Sequence, residues 1–159
     1  MFFLICVNFF NNMTSQYQTQ NYDIIKTIDK AEIRYYPAVM RIKSTRENGF
    51  ANLFGYISGK NEKNKKIPMT TPVYLKKEEN IEVMEFILPR SYNNKNTPMS
   101  LSSEVLVYES KPDYYLALKF GGYALQSIKN KISNDLKRIA NENNIQTVGE
   151  PILLVYNSP

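Results

Sequence analysis

One apolar stripe constrains this chain more than any other feature: Leu125, Ile128, Ile132, Leu136 and Ile139 recur at steps of three, four, four and three. That spacing is one face of an α-helix, and such a face has to be buried against a second layer. The segments around it read as strands. Tyr114, Leu116, Leu118 and Phe120 alternate ahead of it, and Pro151 to Tyr156 follows as a short, continuous apolar run. Between strand and helix, Gly121-Gly122 makes a turn, since glycine tolerates the dihedrals such a corner needs. At 159 residues the chain has room for one core and not for two ordinary domains.

A second, shorter helix is predicted from Phe50, Leu53, Phe54 and Ile57, at i, i+3, i+4 and i+7. Ser44 with Glu47 three residues later reads as its cap, and Gly59 as its stop. Ahead of it, residues 22–26 and 31–35 form a predicted hairpin, and Ala38, Met40 and Ile42 alternate with Val39, Arg41 and Lys43 as a strand with one wet face. After it come the Pro-flanked extended segment 67–75, a strand over Ile81–Leu88 with a bulge expected near Met84, and a short strand at 104–108. The order strand 38–44, helix 47–58, strand 73–75 is echoed by strand 114–120, helix 124–140, strand 151–156. The expected fold is α+β, with two helices packed on an antiparallel or barrel-like sheet.

Residues 1–20 stand outside that plan. Met1 to Phe10 is apolar, without the basic start or small-residue cleavage site of a signal peptide, and ten residues are too few for a spanning helix. Asn11 to Gln20 is polar and featureless. The expectation is a disordered lead-in or an overextended start, with Met13 or a nearby residue as the biological beginning.

Composition removes several classes of chemistry. The chain has no histidine, and so lacks the usual general base, the usual partner of a Ser or Cys nucleophile and the commonest metal ligand. Its single cysteine, Cys6, allows neither an internal disulfide nor a thiolate cluster, which fits a reducing, cytoplasmic setting. The net charge of +5 lies entirely in residues 1–100, but without the clustered stripe and reading module of a nucleic-acid binder. Gly121-Gly122 lacks the Lys-Ser/Thr of a phosphate loop. No set of residues assembles a catalytic constellation.

Several ordered motifs are similar to one known family. Tyr22-Asp23-Ile24-Ile25 and Glu32-Ile33-Arg34-Tyr35-Tyr36-Pro37 open the match. Gly49-Phe50, Leu53-Phe54, Tyr56-Ile57-Ser58-Gly59-Lys60-Asn61 and Lys66-Ile67-Pro68-Met69-Thr70-Thr71-Pro72-Val73 form its centre. Phe120-Gly121-Gly122-Tyr123-Ala124 and Tyr156-Asn157-Ser158-Pro159 follow in order. Over residues 21–159 the chain resembles the SOUL/heme-binding family. The resemblance implies a distorted antiparallel β-barrel of two quasi-repeated halves with two helices packed on it. It also implies non-enzymatic, reversible binding of heme or another tetrapyrrole in a surface hydrophobic groove beside the first helix, for buffering, transport or delivery.

The family's pattern differs here in three respects. With no histidine there is no His axial ligand, the stretch from Met40 to Gly49 is short, and the closing C-terminal strand of family members is missing after Pro159. A groove of this kind needs apolar walls and cations for acidic side arms. The candidate contacts are Phe50, Leu53 and Phe54 as wall, Met40 and Met69 as soft groove residues, and Arg41, Arg46 and Lys66 as cations. No metal site is expected, nor stable membrane insertion, and the protein is expected to be a monomer. The alternatives are a small-molecule effector domain, marked by a buried Glu32 or Glu85, and a module that takes a partner's amphipathic helix.

Overall fold

The structure is a computed structural model that describes residues 1–8, 17–45, 47–122 and 125–156. Arg46, much of the lead-in before Tyr17, Tyr123-Ala124 and the end of the Tyr156–Pro159 motif lie outside the described residues. Eleven strands and two helices follow in the order β1 (Phe2–Asn8), β2 (Gln18–Thr19), β3 (Asp23–Ile28), β4 (Ala31–Tyr36), β5 (Met40–Thr45), α1 (Gly49–Ile57), β6 (Thr70–Thr71), β7 (Val73–Glu78), β8 (Ile81–Ile87), β9 (Leu106–Glu109), β10 (Asp113–Gly121), α2 (Gln126–Glu142) and β11 (Ile152–Val155).

Nine strands make one sheet in the order β3-β4-β10-β1-β11-β7-β8-β5-β9, and β2 pairs with β6 separately. The sheet is mixed and open, where an antiparallel barrel was expected. Its ends, β3 and β9, are not joined by a ladder. Edge strand β3 carries the sheet's register shift, between Ile24 and Lys26, and such a bulge blunts a free edge. Every neighbouring pair in this sheet is antiparallel except those made by β1, which runs parallel to both β10 and β11.

Residues 2–8, which sequence reasoning leaves outside the folded part, are thus a central strand. Leu4 and Cys6 are fully buried on one face, and Phe3 and Ile5 are buried on the other. An unbroken apolar run is what a parallel strand covered on both faces requires. It lacks the period-2 signature that betrays a half-buried strand.

Both helices lie on the same face. Ser44, Met84, Leu75, Leu153, Ile5 and Leu118 stand directly opposite one another on β5, β8, β7, β11, β1 and β10, one continuous cross-strand row. At one end α1 packs on β5 and β8, and at the other α2 packs on β1 and β10. Leu53, Tyr56 and Ile57 bury α1 against Ile42 and Phe86, and each buried aliphatic side chain stabilises by roughly 1.5–3 kcal/mol. Leu136, Ile139 and Ala140 bury α2 against Phe3, Ile5 and Leu116. Leu125 precedes α2 as an exposed N-cap residue, so the stripe is buried only over its later turns.

Two local expectations change. Ser44 belongs to β5 and does not cap α1, whose N-cap is Asn48. The Ser44 hydroxyl instead accepts from Asn52 Nδ2 at 3.2 Å. Near Met84 there is no bulge, and β8 pairs regularly with β7 and β5. The apparent parity change there arises because Glu85, Phe86 and Ile87 are all buried, on alternating faces. Gly59, with φ of 115°, does end α1, and Gly122, with φ of 95°, turns the chain after β10.

Candidate functional site

The helix-free face of the sheet is buried and unusually polar. Arg34, with no exposed surface, donates through Nε to Glu32 at 2.7 Å and through Nη1 to Cys6 Sγ and the Tyr36 hydroxyl at 3.1 and 3.2 Å. The Tyr22 ring lies 4.3 Å from its guanidinium carbon. Burial pushes the Cys6 thiol up despite the neighbouring guanidinium, so Cys6 is held as a neutral thiol. Farther along the face, Glu85 is 0% exposed and meets Arg41 at 3.1 Å, Lys76 at 2.6 Å and the Tyr108 hydroxyl at 2.7 Å. Burial works against the charge on Arg41, but Tyr74, Glu85 and Tyr108 together hold its pKa above the ordinary arginine value. This face is a buried structural network in which Arg34 Nη2 and Arg41 Nε have no hydrogen-bond partner, and Glu85, with three partners of its own, is left no free charge for a cationic ligand.

The helix-bearing face offers a different chemistry. On α1, Phe50 and Phe54 are 39% and 50% exposed, and their rings stack at 5.7 Å with an angle of 11° between planes. Phe86 of β8 meets Phe50 edge-on at 5.8 Å. Spacing of i, i+4 puts the two rings on one side of the helix, and contact with Phe86 places that side over β8, the neighbour of β7. Because α1 rests on β5 and β8 and α2 on β1 and β10, β7 and β11 form a largely uncovered floor between them. The floor is apolar: Leu75, Met84 and Val155 are partly buried against the α1 core, and Leu153 against the α2 core.

A cleft of about 480 Å³ lies at the α2 side of this groove. It is floored by Leu75, Leu153 and Ile5 and flanked by Gln126, Lys129, Asn130 and Ser133. Other hollows lie elsewhere, among them one of about 620 Å³ beside Lys43, Glu78 and Leu106, and two that hold sequence candidates. One, of about 230 Å³, is lined by Met40 with Val39, Ile87 and Leu88, and is too small for a tetrapyrrole. The other holds Met69 beside Tyr17, Pro68 and Pro89.

The structure therefore sorts the candidate residues. Phe50 and Phe54 come together on the groove. Leu53, 0% exposed, points into the core beneath them and fixes the helix that carries them. Met40 and Met69 line other hollows. Arg41 is spent on Glu85 and stacks 4.1 Å over Tyr74, on the opposite face of the sheet. Lys66 is exposed in the loop after α1, and Arg46 is outside the described residues. Sequence reasoning missed Phe86, whose ring backs the pair, and the floor residues Leu75 and Leu153. Their only signal is membership of strands whose order in the sheet the sequence does not state.

A family model described as SOUL heme-binding protein matches residues 17–159. The chain belongs to this family. The SOUL match begins after β1, so the central strand of the sheet lies outside the matched stretch. A comparison with curated protein sequences gives no match. In this SOUL chain the exposed Phe50 and Phe54 rings offer a flat apolar surface beside α1, while few residues could hold an iron. There is no histidine, and no group of three His, Cys, Asp or Glu residues able to hold a metal occurs among the described residues. Tyr56, the nearest phenol on α1, is buried and donates to the Pro98 carbonyl at 2.6 Å, and burial pushes its pKa up to about 12. No described helix is long and apolar enough to cross a membrane.

Proposed function

We propose that this protein binds heme or a related tetrapyrrole reversibly and without chemistry, in the groove between α1 and α2, for buffering, transport or delivery. The observation that carries this reading is the exposed, near-parallel Phe50–Phe54 pair beside an uncovered apolar floor. Two large exposed rings held face to face cost solvation unless another flat surface covers them, and macrocycle stacking regains that energy. Phe86 and Leu53 hold the pair in place, Leu75 and Leu153 extend the floor, and no histidine ligates the iron.

The test is a titration of purified protein with hemin, read as a Soret difference spectrum, beside a Phe50→Ala/Phe54→Ala variant. Saturable one-to-one binding that weakens by tenfold or more in the variant supports the reading. A linear response without saturation refutes it. Of the other readings, an effector domain built on a buried acid is disfavoured by the three partners of Glu85.

A further inference from the structure

The groove does not end at the phenyl pair. From Met84, under the first turn of α1, the row Met84–Leu75–Leu153–Ile5 runs across four strands to the foot of α2. With strands spaced about 4.8 Å apart, the step from β8 to β11 is about 10 Å, a breadth comparable to a tetrapyrrole ring. A flat ligand on Phe50 and Phe54 therefore brings its far edge to the cleft beside α2.

That end of the cleft is polar. Lys77, two residues along β7 from Leu75, and Lys129 of α2 both line it, together with Gln126, Asn130 and Ser133 of α2. Neither lysine side chain makes an ion pair or hydrogen bond among the described residues. The third lysine, Lys76, is already held by Glu78 at 2.8 Å and Glu85 at 2.6 Å. Two carboxylates share the cleft. Glu82 lies directly across from Lys77 in the sheet and is itself engaged, and Glu150 is exposed at the rim. Two uncommitted ammonium groups at the margin of an apolar floor suit a ligand with a flat body and two acidic arms.

We propose that Lys77 and Lys129 bind the carboxylates of the tetrapyrrole, so that preference for an acidic over a neutral ring is set from the α2 side of the groove. This rests on the ring site proposed above. It assigns the cations to positions different from Arg41, Arg46 and Lys66, which the sequence alone puts forward.

The experiment uses two iron-free probes, mesoporphyrin with two free carboxylates and its dimethyl ester, titrated by fluorescence into the full chain. In Lys77→Gln/Lys129→Gln the diacid is expected to bind about five- to tenfold more weakly, with a shallower salt dependence, while the ester is unchanged. In Phe50→Ala/Phe54→Ala both probes weaken together. Diacid affinity unaltered by the lysine variant overturns the assignment while leaving the ring site standing. Equal loss of both probes in the lysine variant also overturns it, because a damaged groove explains that result. Failure of the unaltered protein to bind either probe removes the ring site and this assignment with it.

Discussion

The two helix-bearing regions differ in where their central strand comes from. Around α1, strands β5 and β7 run parallel to each other with β8 between them. Around α2, strands β10 and β11 run parallel to each other with β1 between them. β8 reaches its slot as the second arm of the β7–β8 hairpin and lies antiparallel to both neighbours. β1 reaches its slot from the far end of the sequence and lies parallel to both. The α1 region therefore has a centre tied down by a tight turn at Glu79-Asn80, both with positive φ. The α2 region has a centre supplied by seven residues whose partners are more than a hundred positions away. The same spatial role is filled once by local and once by distant sequence. Cohesion of the whole sheet depends on the distant one, since without β1 the β3-β4-β10 and β11-to-β9 portions share no ladder.

The largest effect that follows is on β1. Removing residues 1–8 is expected to abolish cooperative unfolding of the full sheet in a urea titration followed by circular dichroism. A single, unchanged transition would show that β1 is an accessory. Next, Glu85→Ala strands the buried Arg41 beneath Tyr74 and should cost about 3–5 kcal/mol, measured as a lowered urea midpoint. Leu53→Ala should cost about 2–5 kcal/mol, whereas Phe54→Ala, on the exposed side of the same helix, should cost under about 1 kcal/mol while weakening ligand. A large stability loss in Phe54→Ala would place that ring in the core and remove it from the groove.

The smallest expected effect is a pH dependence. Burial alone would raise the Glu78 carboxyl, but hydrogen bonds from Lys43 and Lys76 hold it below the usual 4.5. A carboxylate depressed in the folded state stabilises above its unfolded pKa and loses that contribution as pH falls through the folded one. Unfolding midpoints should therefore drop below about pH 4.5, with a shallower slope in Glu78→Gln. Identical acid limbs in the two proteins would mean that the pair with Lys43 and Lys76 is inert.

How legible the molecule was in its sequence follows from the same contrast. The β3–β4 hairpin, both helices and the strands β8, β10 and β11 announce themselves through turn residues or periodicity over a few positions. β1 does not, because a strand buried on both faces has no alternation and its partners are remote. Arg41 was misplaced for a related reason. Alternation in β5 separates Met40 and Ile42 from Arg41, but the face expected to be wet is covered at Arg41 by Tyr74 and Glu85 instead of by water. Within the site, spacing found Phe50 and Phe54. It could not find the floor, since Leu75 and Leu153 become neighbours only through the strand order.

The placement of β1 also fixes an order of events during synthesis. Residues 2–8 leave the ribosome well before their partners, since both of their ladders need residues 115–121 and 152–155, more than a hundred positions later. At roughly 5–20 residues per second, an apolar segment of the sequence FFLICVN waits on the order of ten seconds or more without its partners. During that interval the β7–β8 hairpin and α1 can form, and the sheet closes at its centre only once β11 has emerged. High contact order of this kind slows folding and prolongs exposure of the most aggregation-prone stretch of the molecule.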